Sequence, residues 1–211
     1  MPKKIELPIT ESAIRELRIG DEVEISGPMV LGRDAAHKHL IKGFDEEFDR
    51  LARDRFLYHC GPVVRRTTDG GWQFVAAGPT TSIREEPYEA QVIEQYGLRG
   101  VIGKGGMGAR TLAALQKHGC VYLHAIGGLA VVLAEKVVAV HGAHMLDELG
   151  VPEAMWSIEV KDFPSVVTMD SHGASLHQTM FDQSHDAARQ LMERGPSKPA
   201  AAAGRKRRAN G

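Results

Sequence analysis

The second half of the chain changes regularly between two hydrophobic periods. Apolar residues spaced three and four apart alternate with short, continuous apolar runs. The spacings predict helices at 89–96, 109–117 and 129–135, and the runs predict strands at 100–103, 120–124 and 137–141. Such alternation is typical of parallel strands with helices packed on the sheet, so the pattern predicts an α/β fold.

The first ninety residues carry a less regular pattern. It predicts a lead-in segment over 7–20 with Thr10 as a helix N-cap, a strand over 23–31, an interrupted helical stretch over 34–53, and two strands over 56–64 and 72–77. Because Gly27 and Pro28 interrupt the strand over 23–31, we expect it to be bulged or to lie at a sheet edge. The turn residues at 68–71 predict a hairpin between the last two strands.

The chain after residue 150 becomes progressively more polar. Strand-like stretches at 153–160 and 165–170 precede a largely polar helix predicted over 174–194. From residue 195 onward there is no aromatic and no branched apolar residue, so burial cannot offset the entropy of ordering this segment. We therefore predict one domain over 1–194 and a disordered basic tail over 195–211, and we interpret its RKRR cluster as a solvated end.

Composition and charge narrow the functional classes. The chain has 211 residues, 43% of them hydrophobic, and a formal net charge of -1. A nearly neutral chain exerts no overall field on nucleic acid or on a lipid surface. No apolar run is long enough for a membrane span, and no apolar stretch follows the N-terminal lysines. We therefore expect a cytoplasmic protein that binds neither nucleic acid nor membrane.

The cysteines and histidines argue against a metal centre held by this chain alone. Cys60 and Cys120 are the only cysteines, which are too few to hold a metal cluster. No pair of histidines has the spacing of a zinc site. We expect two buried, inert thiols and no metal site.

Three short segments combine glycine with a fixed positive charge where a predicted strand leads into a helix. They are Gly32–His37 with Arg33, Gly78–Arg84 with its hydroxyl residues, and Gly103–Gly108 with Lys104. Ligands of open α/β sheets collect at such junctions. Two arginines, one lysine, hydroxyls and glycine amides suit a small dianion, since arginine binds a carboxylate in a bidentate fork.

Other interpretations of these segments remain open from the residues alone. Each segment taken singly also fits a tight turn or an ordinary surface arginine. Phosphate is an alternative dianion, although Lys104 is followed by Gly105 and not by the hydroxyl residue of a P-loop. Gly103, Gly105 and Gly108 have the spacing of a dinucleotide fingerprint but lack its later acidic residue.

These segments also carry a resemblance to a known family. The chain resembles the beta subunit of two-subunit class I fumarases and L-tartrate dehydratases, which is equivalent to the C-terminal domain of single-chain class I fumarases. The matching stretches occur in the family's order and span about residues 5 to 180: Gly32–His37, Tyr58–Pro62, Gly78–Arg84, Ile102–Met107, Trp156–Val160 and Asp162–Pro164.

The resemblance implies a fold, a partner and a reaction. The fold would be a swivelling β/β/α domain with parallel strands and flanking helices, docked on a larger alpha-type subunit in an α2β2 assembly. Cysteines of that partner would hold a [4Fe-4S] cluster, which accounts for the few thiols here. The implied reaction is reversible addition or removal of water across a small dicarboxylate, as in the fumarate step of the tricarboxylic acid cycle.

The resemblance also implies roles for individual residues. Thr80 would be the base for the C–H proton, and a clamp on the substrate carboxylates would consist of Arg33, Arg84 and Lys104. Supporting positions would be Asp34, His37, Thr81 and Ser82. From its spacing, His37 either orients the substrate or Asp34, or is an ordinary surface residue.

One departure from the family pattern bears on specificity. Glu85 and Glu86 follow Arg84, where the family places methionine and an acidic residue. The extra carboxylate either tunes the choice of substrate or faces solvent. We expect fumarate first and L-tartrate second; a non-catalytic dicarboxylate-binding module without an alpha partner and a phosphate-binding α/β enzyme are the other hypotheses.

Overall fold

The computed structural model describes residues 1–193. It contains two compact units, Met1–His177 and a second that begins at Gln178. The predicted basic tail over 195–211 lies outside the described residues, so the domain boundary at 194 stays a prediction. Among the described residues, no helix has both the length and the apolar character needed to cross a bilayer.

Nine strands form the β structure of the described residues. They are β1 Lys3–Glu6, β2 Glu22–Leu31, β3 Phe56–Tyr58, β4 Val63–Arg66, β5 Trp72–Ala76, β6 Gly100–Gly103, β7 Val121–His124, β8 Val137–His144 and β9 Met155–Met169.

Eight α-helices accompany them within residues 1–193. They are α1 Glu11–Ile14, α2 Asp34–Leu40, α3 Glu46–Ala52, α4 Glu86–Tyr96, α5 Ala109–His118, α6 Ala130–Glu135, α7 Leu146–Leu149 and α8 Leu176–Glu193. Two single turns of 3-10 helix, Ser82–Glu85 and Gly127–Leu129, precede α4 and α6.

Seven strands form one sheet in the order β1, β2, β3, β6, β7, β9, β8. Neighbours from β1 to β7 are parallel, whereas β9 is antiparallel to β7, β2 and β8. Because the long strand β9 pairs with both β7 and β2, the strands β2, β3, β6, β7 and β9 close into a ring. The α/β prediction with largely parallel strands is confirmed.

The two faces of the sheet bury two separate apolar clusters, as the alternation of side chains along a strand requires. On β3, Phe56 and Tyr58 belong to one cluster and Leu57 to the other. The second cluster also contains the buried faces of α2, α3, α4 and α5. The first includes the hairpin of β4 and β5, where the ring of Trp72 packs edge-on against Trp156 at 5.3 Å. Helices α2 to α5 and the hairpin thus cover opposite faces.

Two predicted strands have different bounds in the structure. The stretch 56–64 divides at Gly61–Pro62 into β3 and β4, and the predicted hairpin forms between β4 and β5. The stretches 153–160 and 165–170 join into the single strand β9, because pairing with β2 continues on both sides of a bulge at the left-handed residue Asp162, φ 49°.

The sequence predicted the strand pairing of β2 and β8 only in part. The pairing register of β2 shifts between Ile25 and Gly27, so the expected bulge is confirmed, but β2 is not an edge strand because it pairs on both sides. The interpretation of β8 as one more parallel strand is wrong, since it is antiparallel to β9. The physical reason is that β9 occupies the edge of β7 on which a parallel β8 would pair.

Replacing Gly27 with alanine tests the bulge in β2. Gly27 has φ 110°, and a Cβ there would lie 2.6 Å from the carbonyl oxygen of Leu7. We expect Gly27→Ala to lower the free energy of unfolding in urea by about 2 kcal/mol or more, from backbone strain and the clash together. Gly43→Ala is the matched control, because its Cβ would meet nothing within 4 Å. Equal stabilities of the two variants would contradict the prediction.

Candidate active site

Backbone hydrogen bonds hold the loop after β5 between the carboxyl ends of β3 and β6. The amide of Thr80 donates to the carbonyl of His59, which follows β3, at 2.7 Å. The amide of Lys104, which follows β6, donates to the carbonyl of Thr80 at 3.2 Å, and Ser82 N–H donates to Lys104 C=O at 3.0 Å. Bridges pair Cys60 with Pro79 and Thr81 with Lys104. The position of Thr80 is therefore set by the ends of two parallel strands.

A guanidinium and a carboxylate connect this loop with the start of α2. One nitrogen of Arg84, Nη2, donates to Thr80 Oγ1 at 2.7 Å and to Asp34 Oδ2 at 2.9 Å. The Nε of Arg33 lies 3.4 Å from the same oxygen of Asp34 and 3.0 Å from Glu153 Oε1. Asp34 is therefore shared by two arginines, and both cations belong to one charged cluster with Thr80.

Lys104 is held beside Thr80 by its backbone amide, and its side chain differs from those of the two arginines. Its side chain is half-buried and passes Gly127, whose position for a Cβ lies 3.7 Å from the Nζ. Within residues 1–193 it takes part in none of the ion pairs, in contrast to Arg33 and Arg84. This ammonium is therefore not neutralised by a carboxylate of the described chain.

Two further predicted residues lie beneath the surface, and one lies on it. Thr81 is exposed, whereas Ser82 and His37 are fully buried. The ring of His37 has partners at both nitrogens, the carbonyl of Arg33 at 3.0 Å and Glu89 Oε2 at 2.9 Å. His37 is therefore not a surface residue and supports the cluster from below.

Glu85, which departs from the expected pattern, and Glu86, which fits it, have separate structural roles. Glu86 accepts hydrogen bonds from the backbone of Gly108 and from the Thr111 hydroxyl, at 2.7 and 2.6 Å, and so caps the start of α5. Glu85 is buried, and neither of its oxygens has a hydrogen-bond partner among the described residues. It does not face solvent. Burial raises the pKa of Glu85 to about 7, with Asp34 adding to the rise and His37 and Arg84 opposing it.

The sequence comparisons identify the family to which this arrangement belongs. A sequence model of the family described as "Fumarase C-terminus" matches residues 2–180. The chain belongs to this family. The predicted resemblance is confirmed, because the match covers the cluster and both of its supporting strand ends.

Two relatives of this fumarase C-terminus chain carry informative names. A protein of Geobacillus stearothermophilus named "Putative fumarate hydratase class I" is 50% identical over 189 residues, which are 90% of this chain and 36% of the relative. The L(+)-tartrate dehydratase subunit beta of Escherichia coli K12 is 37% identical over 177 residues, which are 83% of this chain and 87% of that subunit. The chain thus spans about a third of the first relative and most of the second. Both names fit a beta-type subunit of a hydro-lyase.

In this family member the cysteines do not fit the iron–sulfur cluster that the resemblance implies. Cys60 and Cys120 are both free and buried. Burial raises the pKa of the Cys60 thiol to about 12 and also raises that of Cys120, so neither is a thiolate near neutral pH. Two protonated thiols do not make the ligand set of such a cluster.

The sequence reasoning missed a buried polar group below the cluster. Glu89, on α4, receives hydrogen bonds from His37 and His59, each at 2.9 Å, and none of the three side chains is exposed. Their three ligand atoms lie within 4.8 Å of one another, so this is the group among the described residues that could hold a metal ion. The available signal was the position of Glu89 on the apolar face formed by Val92, Ile93 and Tyr96 of α4.

The pKa values of this buried group indicate where its charges reside. Burial alone would raise the pKa of Glu89, but the two histidines outweigh it and lower the pKa to about 2. Burial would lower the pKa of His37, but the charge of Glu89 and a hydrogen bond to it raise the value. For His59 burial prevails and the pKa is lowered. These directions favour an ionised Glu89 and a proton on His37 in preference to His59.

Removing the charge of Glu85 tests its burial through the pH dependence of stability. Its pKa of about 7 exceeds the ordinary 4.5, so the folded state binds the proton more tightly and the wild type loses stability as pH rises from 4.5 to 7. We expect Glu85→Gln to exceed the wild type in free energy of unfolding at pH 8, by at most about 3 kcal/mol, and to match it near pH 4. The exposed Glu148→Gln is the control. A pH-independent difference between Glu85→Gln and wild type would contradict the prediction.

Proposed function

We propose that this chain is the beta-type subunit of a hydro-lyase that adds and removes water across a small dicarboxylate, with fumarate and malate as the first candidates. The observation that carries the proposal is the single cluster formed by Thr80, Arg84, Asp34 and Arg33. The backbone of Lys104 bonds to Thr80, and its ammonium has no ion-pair partner within residues 1–193. Cations, a hydroxyl and strand-end amides suit a dicarboxylate better than a nucleotide, because the P-loop spacing is absent.

The arginine beside Thr80 makes the hydroxyl a better base than an isolated threonine. Arg84 Nη2 donates to Thr80 Oγ1, so the positive charge lowers the pKa of the hydroxyl and stabilises the oxygen after Thr80 has passed its own proton to water. In the direction of dehydration, Thr80 would take the proton from the carbon next to a carboxylate, and in hydration it would return it. The role of base thus rests on a direct contact between Arg84 and Thr80.

The cations would bind the substrate carboxylates and stabilise the charge that develops when the C–H bond breaks. Lys104 is free of carboxylate partners within the described residues and would take one carboxylate as a point charge. Arg33 and Arg84 would offer their remaining N–H groups to the other, with Asp34 holding the two guanidinium groups together. Thr81, exposed beside Lys104, would line the same place.

A larger partner subunit belongs to this proposal. The E. coli relative is named a subunit beta, which implies an alpha subunit, and the G. stearothermophilus relative is nearly three times as long as the matched segment. The [4Fe-4S] cluster would be held by that partner, since the cysteines of this chain do not fit it. The proposal includes an α2β2 assembly. If fumarate is the substrate, it also includes a role in the tricarboxylic acid cycle.

L-tartrate is the second candidate substrate, and separate observations favour each. Identity is higher to the protein named a fumarate hydratase, 50% against 37%. The match in chain length is better to the tartrate dehydratase subunit, of which this chain covers 87%.

A substrate panel decides between these candidates. We expect the chain, co-expressed anaerobically with a larger cysteine-containing partner, to turn over malate and fumarate at least about ten times faster, by kcat/KM, than L-tartrate. The chain expressed alone is the control, and we expect it to be colourless and inactive. A complex with activity only on tartrate would replace fumarate by tartrate, and a brown colour of the lone chain would contradict the placement of the cluster.

Substitution of Thr80 tests its role as the base. We expect Thr80→Ala to lower kcat by about 100-fold or more, because proton transfer by a positioned group contributes this much, while the assembly and its absorption spectrum stay unchanged. Thr80→Ser should retain measurable turnover, since it keeps a hydroxyl. Thr68→Ala, in the exposed turn of the hairpin, is the control. Near-normal turnover of Thr80→Ala would remove Thr80 from the mechanism.

A further inference from the structure

Below the cluster, a continuous line of buried hydrogen bonds runs from Tyr122 to the backbone of Arg33. The Tyr122 hydroxyl donates to Ser82 Oγ at 2.9 Å, and Ser82 Oγ lies 2.9 Å from His59 Nδ1. The line continues through Glu89 Oε2 to His37 and ends at the carbonyl of Arg33. None of the side chains from Tyr122 to His37 is exposed, so solvent does not satisfy them.

The donors and acceptors of this line support one arrangement of its protons. The carbonyl of Arg33 only accepts, so His37 Nδ1 carries a hydrogen, and the carboxylate of Glu89 requires another on His37 Nε2. Ser82 accepts from Tyr122, which leaves its own hydrogen available for His59 Nδ1. His59 then donates from Nε2 to Glu89. With Glu89 ionised, this arrangement gives an imidazolium at His37 and a neutral, Nε2-protonated ring at His59.

This line joins the two segments that carry the proposed catalytic groups. His37 holds the carbonyl of Arg33, directly before Asp34 at the start of α2. His59 holds Ser82 through its ring and Thr80 through its carbonyl oxygen. The single oxygen Oε2 of Glu89 is where the two halves of the line meet.

A metal ion is the alternative occupant of this place, and the geometry favours hydrogen bonds. A structural zinc site takes four ligands, and the group offers three within the described residues. The 2.9 Å separations between each histidine Nε2 and Glu89 Oε2 are ordinary hydrogen-bond lengths. Both nitrogens of each ring also have hydrogen-bond partners that account for them.

We propose that Glu89 is a positioning residue of the candidate active site, whose buried carboxylate holds the Arg33–Asp34 segment in register with the Thr80–Arg84 segment through His37 and His59. This inference rests on the proposed function, because Thr80 and the arginines are the groups that it places. Glu89 itself touches none of them; it acts through the two histidines.

Nitrogen-15 NMR of the histidine rings in the full chain tests the geometry without any activity. Near neutral pH we expect one ring, lost in His37→Gln, to be protonated at both nitrogens, and a second, lost in His59→Gln, to be protonated only at Nε2. Glu89→Gln should remove the doubly protonated signal, because the amide carries no charge to hold it. Glu94→Gln, on the exposed side of the same helix, should leave both signals unchanged. Glu85 also faces His37. We expect the variant Glu85→Gln to fold and to keep the doubly protonated His37 signal.

Kinetics of the complex with the partner subunit test the positioning role. We expect Glu89→Gln to lower kcat/KM by about 100-fold, the size of effect that a small misplacement of catalytic groups produces, and Glu94→Gln to stay within twofold of wild type. If Glu89→Gln does not fold, Glu89→Asp replaces it. That variant keeps the charge and shifts it by one methylene, so it should retain the His37 imidazolium and still lose about 10-fold in kcat.

The outcomes separate this inference from the function on which it rests. Suppose that the wild-type complex is active. If Glu89→Gln, or Glu89→Asp in its place, then keeps kcat/KM within twofold of wild type, the positioning role alone is overturned. A neutral His37 in the wild type, or one equivalent of metal in the purified chain that is lost in Glu89→Gln, would also overturn it. An inactive wild-type complex would overturn the proposed function, and the positioning role with it, whatever the ring signals show.

Discussion

The candidate site depends on the backbone hydrogen bonds that hold Thr80 between the ends of β3 and β6. The loop after β5 comes from the hairpin on one face of the sheet and is received by His59 and Lys104, which follow two neighbouring parallel strands. Without these bonds the hydroxyl would belong to a surface turn. With them, the guanidinium of Arg84 contacts both the Thr80 hydroxyl and the carboxylate of Asp34.

Most residues of this candidate site could be predicted from the sequence, because its cations lie beside glycines where strands end. That pattern identified Arg33, Arg84 and Lys104, and the carboxyl ends of parallel strands do meet at one edge of the sheet. The pattern did not give the partners of the cations. Glu153 precedes β9 and is more than a hundred residues from Arg33, so its contact is set by the antiparallel return of the chain, which has no local signal.

The errors in the fold have a common physical origin. Helices and strands of the correct type were predicted through most of residues 89–144, but the neighbour of β8 was not, because hydrophobic runs report burial and not direction. Glu89 was overlooked for a related reason: a carboxylate in a helix usually faces solvent, and only the apolar residues that share its face mark it as buried. Long-range strand pairing and the burial of a charged side chain are thus the two properties that were hardest to predict from this sequence.

The hairpin of β4 and β5 leaves the sheet at Cys60 and returns at Pro79, and these two residues bridge directly. Its base is closed, while the end with Thr68 is exposed. This end of the hairpin can therefore carry a label or affinity tag while the distances around Thr80 are preserved. That separation makes Thr68 a position for attaching a probe to the assembly without disturbing its chemistry.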